Sequence, residues 1–195
     1  MDAAGGAGGS SQLLGPGRSP RPGERQLILD RVRDYLRANR TPGFTLRGLD
    51  GCSVWVHSYA DVRGREIVTS EAYTRSTSRD SSFVRVRFAG ESFPGVVRYY
   101  VRVVKAGEHP LSLRLAVCRF YAADPARPHV CDPDLGVCLR ALEGVWADSP
   151  PEQLVSLDAI DCKLNRGRKP APRESGQPAR LYFFPAHIVS KSHLR

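Results

Sequence analysis

The sequence predicts a mainly β fold: a small, strongly bent antiparallel sheet or barrel with one amphipathic helix on its N-terminal side. Three observations carry this. Apolar residues recur at helical spacing in one window only, residues 24–40. From residue 44 onward they alternate with polar residues at a period of two, as in strands with one buried face. Turns containing Gly or Pro interrupt that region often enough for about six to eight short strands, the pattern of compact antiparallel sheets and barrels.

Residues 1–23 are mostly Gly, Ser, Ala and Pro, with little apolar surface to offset the entropy of ordering, so they are expected to form a disordered leader. In the helical window, ERQLILDRVRDYLRAN places Ile28, Leu29, Val32, Tyr35 and Leu36 on one stripe. The TPG at 41–43 ends it, because proline disfavours helical geometry in the residue before it. The β module is expected over 44–190. SVWVHSYA reads as a strand and DVRG as a turn into REIVTS. SFVRVRFAG sets Val84, Val86 and Phe88 against Arg85 and Arg87. Two long strands follow, joined at AGEHP, the first with Val97, Tyr99, Val101 and Val103 on one face and the second with Leu111, Leu113, Leu115 and Val117. DPARPHVCDPDLG reads as a loop, VCLRAL as a short strand, and QLVSLDAIDCKLNR as a strand entering a turn. A basic polar insertion at about 166–179 precedes the last strand, ARLYFFPAHIV.

The formal net charge of +9 is unevenly spread. Residues 51–162 carry 13 basic and 14 acidic side chains, whereas residues 163–195 carry 8 and 1. Such a segment attracts phosphates or acidic partners, although a solvated arginine-rich loop would read the same way. Five cysteines, Cys52, Cys118, Cys131, Cys138 and Cys162, form an odd set without CxxC spacing. Reduced thiols and an intracellular setting, compatible with the nucleus, are expected. His129, Cys131 and Cys138 lack the second ligand pair that a tetrahedral zinc site needs, so no metal is expected. No apolar run approaches the roughly 20 residues of a membrane span.

Candidate binding residues fall into two groups. Arg85, Arg87, Arg98 and Arg102 lie on the polar faces of consecutive strands, and Arg166, Arg168, Lys169 and Arg173 in the basic insertion. Guanidinium groups suit bidentate phosphate contact, so together they form a candidate nucleic-acid surface, with the wet face of an ordinary sheet as the competing reading. Trp55, Tyr99 and Phe183 are candidates for an aromatic pocket, set against simple core packing. The hydroxyls of Thr74, Ser76, Thr77, Ser78, Ser81 and Ser82 between arginines are open to phosphorylation, or form a plain solvated loop. The acids Asp132, Asp134, Asp158 and Asp161 are available, but Asp132 and Asp134 sit in a loop without a partnering His or Lys motif, and no phosphate loop, GxSxG or HExxH is present. A non-enzymatic chain without a cofactor is expected.

Two blocks carry a family resemblance. Thr69, Ser70, Glu71, Tyr73, Arg75, Arg79, Ser82, Phe83 and Val84, followed by Gly95, Tyr99 and Tyr100, resemble the region C-terminal to the catalytic part of Kyakuja-Dileera-Zisupton transposases. LAVCRFYAAD, then Leu157, Ile160, Cys162 and Lys163, then ARLYFFP, is similar to the strand order of bromo-adjacent homology modules. The acidic catalytic part of such transposases has no counterpart in this sequence, so strand-transfer activity is not implied. What the resemblance implies is an accessory, transposon-derived β module that tethers a protein or chromatin partner.

Overall fold

The computed structural model describes residues 10–71, 73, 82–125, 128–132, 136–147, 152–169 and 179–186. The fold is mainly β with one helix, as the periodicities require. In chain order the elements are β1 Gln12–Leu14, α1 Pro22–Ala38, β2 Ser53–His57, β3 Tyr59–Val62, β4 Glu66–Thr69, β5 Phe83–Phe88, β6 Glu91–Lys105 and β7 Leu111–Ala123. They continue with β8 His129–Asp132, β9 Gly136–Trp146, β10 Gln153–Ser156, β11 Ile160–Lys169 and β12 Arg180–Pro185. Among the described residues no helix is long and apolar enough to cross a membrane.

The larger sheet has nine strands and curls on itself. β5 pairs with β6, β6 with β7, β7 with β9, β9 with β12, β12 with β11, and β11 with β5, so six antiparallel strands close a ring. Within the ring each strand is thereby paired on both sides. β2 and β10 extend the long strands β6 and β7 outside the ring, and β8 adds to β9. A second sheet of three strands, in the order β1-β3-β4, packs against the first.

Three apolar cores result. Phe83, Val96, Tyr121, Leu139, Leu164 and Phe183, one from each ring strand, fill the ring. Val84, Val86, Val97, Tyr100, Cys118 and Ile160 meet Ala60, Val62 and Val68 of the small sheet. The helix buries Ile28, Leu29 and Val32 against Val54, Val56, Val101, Val103 and Leu115. Pro22 opens the helix, its missing N–H falling where no helical partner exists, and the Asn39 N–H closes it on the Tyr35 carbonyl at 2.9 Å.

Several expectations change. From Ser10 on, the leader is placed rather than disordered: Gln12, Leu13 and Leu14 pair with Asp61, Ala60 and Tyr59, and Leu13 packs on the second core. Backbone pairing and this one side chain supply what composition could not show. The run 53–60 is two strands in different sheets, broken at Ser58. The loop expected before residue 136 contains β8, and 153–169 splits into β10, a 3-10 turn at Leu157–Ala159 and β11. Residues 166–169 of the expected insertion continue β11, and residues 170–178 lie outside the described part.

The expected alternation of Val97, Tyr99, Val101 and Val103 is also corrected. Val97 pairs with Cys118 and Tyr99 with Val117, leaving Arg98 as the extra residue of a β-bulge. The bulge reverses the phase, so Val97 shares a core with Tyr100 while Val101 and Val103 face the helix. β11 carries a second bulge between Ile160 and Cys162, with Asp161 as its extra residue.

Candidate anion-binding cleft

Both bulges present a charged side chain to opposite charges, and the one in β11 stands in a cleft. Asp161 is 13% exposed and receives three guanidinium groups: Arg63 at 2.8 Å, Arg87 at 2.9 Å and Arg85 at 3.8 Å. A regular strand would alternate Asp161 with Ile160 and Cys162, which face two different cores; the bulge lets it leave the ladder sideways.

Two elements position the three arginines. Phe83, Arg85 and Arg87 share one face of β5; the first is in the ring core and the other two reach the cleft. Arg63 occupies the turn between β3 and β4 with φ 57, followed by Gly64 with φ 64. A non-glycine residue in this left-handed region costs roughly 1–2 kcal/mol. Two contacts hold it: its N–H donates to the Ser11 hydroxyl at 3.1 Å and its guanidinium to Asp161. Ser11 is 1% exposed, and its carbonyl accepts a hydrogen bond from Arg114 at 2.6 Å. The ordered leader thus fixes the turn that aims Arg63.

The cleft measures about 810 Å³ and is lined further by Arg65, Glu66, Ile67, Lys163 and Ala186. Glu66 accepts the Lys163 backbone N–H at 2.6 Å, so it ties β4 to β11. Five cations, Arg63, Arg65, Arg85, Arg87 and Lys163, face two carboxylates, Glu66 and Asp161, a surplus of three positive charges. Ile67, 58% exposed, adds an apolar wall. The Arg85 Nε is buried and, among the described residues, has no hydrogen-bond partner. Cys162 is buried beside it, and burial pushes its thiol up to about 11.

The remaining candidates do not join this cluster. Arg98 is neutralised in the other bulge by Glu71 and by Glu152 at 3.3 Å. Glu152 also receives Arg31 at 2.8 Å, and Arg31 donates to the Tyr99 hydroxyl at 3.0 Å, so this network locks the helix to β6. Arg102 lies on another face and donates to Ser112 at 3.0 Å. Arg166 covers the Phe83 ring at 4.6 Å, and Arg168 pairs with Glu143 at 2.8 Å. Lys169 ends β11 opposite Arg180, and Arg173 lies outside the described residues. Of the candidate surface expected on the strand faces, Arg85 and Arg87 therefore come together, whereas bulges and ring closure turn the other side chains in different directions.

The aromatic candidates are equally dispersed. Phe183 is fully buried in the ring, 5.6 Å from Phe83 and 5.1 Å from Tyr121. Tyr99 borders the helix and Trp55 stands exposed on β2, so the three form no shared cage. Of the hydroxyl run, only Ser82 is described, and it is buried. Cys52, Cys118 and Cys162 are free thiols, and these and Cys138 are buried.

Sequence reading named Arg85 and Arg87 but missed Arg63, Arg65 and Lys163 as partners. It noted Asp161 only as an available acid. The one available signal was a charge between Ile160 and Cys162, in a run otherwise read as strand. No family model, curated protein or solved structure matches the chain.

Proposed function

We propose that this chain is a non-catalytic binding module that takes an acidic segment of a protein partner into the cleft between β4 and the β5–β11 pair. The observation that carries it is the convergence of Arg63, Arg85 and Arg87 on one carboxylate, with Arg65 and Lys163 beside them and without an ion-pair partner among the described residues. The arginines already hold a carboxylate in the way they would hold an incoming one, and guanidinium forks are suited to it. The exposed Ile67 favours a peptide, which offers apolar side chains next to its acids, over a phosphate backbone. Binding rather than catalysis is supported by the state of the two acids at the wall. Asp161 is held by guanidiniums and Glu66 by a backbone N–H, so neither is free to act as a base. The resemblance at residues 69–84 and 155–163 supports a transposon-derived origin and a chromatin setting for the partner.

The test is fluorescence anisotropy with a labelled hexaglutamate peptide. The Arg85→Ala/Arg87→Ala double variant should bind at least about tenfold more weakly, as expected for losing two charge-assisted contacts. Equal affinity for the two proteins, or affinity insensitive to salt, would count against the proposal.

A further inference from the structure

A second surface stands apart from the cleft. β2, β6 and β7 lie side by side, and one row across them sets Trp55 beside Arg102 and Arg102 beside Arg114. Directly paired residues point to the same face, and here that face is opposite the helix-side core built by Val54, Val56, Val101 and Leu115. The neighbouring row toward the turn between β6 and β7, Ser53, Val104 and Ser112, carries no charge.

Two features of this row are unusual for the molecule. Like charges directly opposite one another destabilise a strand pair, yet among the described residues neither Arg102 nor Arg114 has a carboxylate within ion-pair distance. Arg102 is fixed by the Ser112 hydroxyl and Arg114 by the Ser11 carbonyl, both uncharged, so both positive charges remain available. The second feature is the indole. Trp146 has Tyr121 stacked at 4.3 Å and the Arg119 guanidinium at 4.0 Å, whereas Trp55 is 38% exposed and no ring or guanidinium covers it among the described residues.

We infer that this face binds a single-stranded polynucleotide, with a base stacked on Trp55 and the adjoining phosphates on Arg102 and Arg114. An open indole on a sheet, flanked by unneutralised guanidiniums, matches the alternation of flat base and anionic phosphate along a single strand. A duplex keeps its bases stacked on each other and has none to offer the indole. Neither stacking nor phosphate pairing reads the sugar, so DNA and RNA strands are equivalent ligands. This site is independent of the cleft reading.

The experiment titrates the whole chain with a 15-nucleotide oligo(dT), following tryptophan fluorescence and the anisotropy of an end label. Binding should quench the fluorescence, match that of oligo(rU) within about threefold, and weaken with salt at a log–log slope of at least about −1.4, the value for two phosphates on a single strand. Trp55→Ala should bind about tenfold more weakly, and Trp55→Phe should keep most of the affinity while losing the quench. Arg102→Ala/Arg114→Ala should flatten the salt slope. The Arg85→Ala/Arg87→Ala variant serves as the separating control and should bind oligo(dT) within about twofold of wild type. The inference is overturned by an unchanged affinity in Trp55→Ala, by duplex binding as tight as single-strand binding, or by loss of binding in the cleft variant.

Discussion

Replacing Asp161 by Asn should move stability and affinity in opposite directions. The amide keeps the size of the side chain and removes the charge that holds Arg63, Arg85 and Arg87. Exposed ion pairs contribute about 0.2–1 kcal/mol, and breaking a buried one costs about 3–5 kcal/mol. Asp161 is 13% exposed but its three partners are 33%, 33% and 59% exposed, so solvent screens part of each contact. An intermediate loss of about 2 kcal/mol follows, which for a chain of this size is about 4–8 °C in Tm. The same change raises the cleft's surplus from three positive charges to four. A unit charge about 6 Å from a bound carboxylate, in a water-like dielectric, is worth about 0.7 kcal/mol, so an acidic peptide should bind about threefold tighter. Thermal unfolding followed by circular dichroism reads the first effect and peptide anisotropy the second. A Tm equal to that of wild type together with weaker peptide binding would refute the reasoning, because Asp161 would then neither hold the arginines nor compete with the ligand.

Arg140 and Asp124 form a buried pair at 2.6 Å, 6% and 3% exposed, so Arg140→Ala should destabilise by about 3–5 kcal/mol in urea unfolding, far more than loss of the exposed Arg168–Glu143 pair. Gly95→Ala places a methyl 3.0 Å from the Phe120 ring and 3.2 Å from the Arg119 carbonyl, and should cost about 1–3 kcal/mol by the same measurement. His57 is 6% exposed and, among the described residues, neither ring nitrogen has a hydrogen-bond partner; burial lowers its pKa below the ordinary 6.5 and the Arg102 charge acts the same way, with the backbone of Leu14 and Gly15 acting against them. The fold disfavours its protonated form, so stability present above about pH 6.5 is lost as pH falls through the lower folded value, and His57→Leu should remove that part of the difference between urea midpoints at pH 7 and pH 5. Burial raises the Cys162 thiol to about 11 and the Cys118 thiol further, so neither should react with a thiol reagent at pH 8 until denaturant is added.

The periodicities carried the fold class and the helix because those signals are local. Val84 and Val86 against Arg85 and Arg87, or Leu113, Leu115 and Val117 in one row, are visible in sequence and buried as read, whereas Phe88 and Leu111 at the strand ends are exposed. The candidate site was half legible for a related reason. Alternation assigns Arg85 and Arg87 to one face, but it cannot show that Asp161 leaves its strand at a bulge or that Arg63 arrives from a hairpin nearly a hundred residues away in sequence. Bulges insert a residue without any composition signal, so the phase change at Arg98 was equally hidden. Order in the leader failed for another reason: Gln12–Leu14 is strand because β3 is there to receive it, and pairing of this kind leaves little trace in a three-residue segment.

The two longest strands belong to every apolar cluster in the molecule. β6 sends Val96 into the ring, Val97 and Tyr100 between the sheets, and Val101 and Val103 under the helix, while β7 does the same with Tyr121, Cys118 and Leu115. Opening either strand along its length would therefore disturb all three cores at once. Native-state amide exchange in β6 and β7 should proceed only through global opening, with one common free energy from end to end.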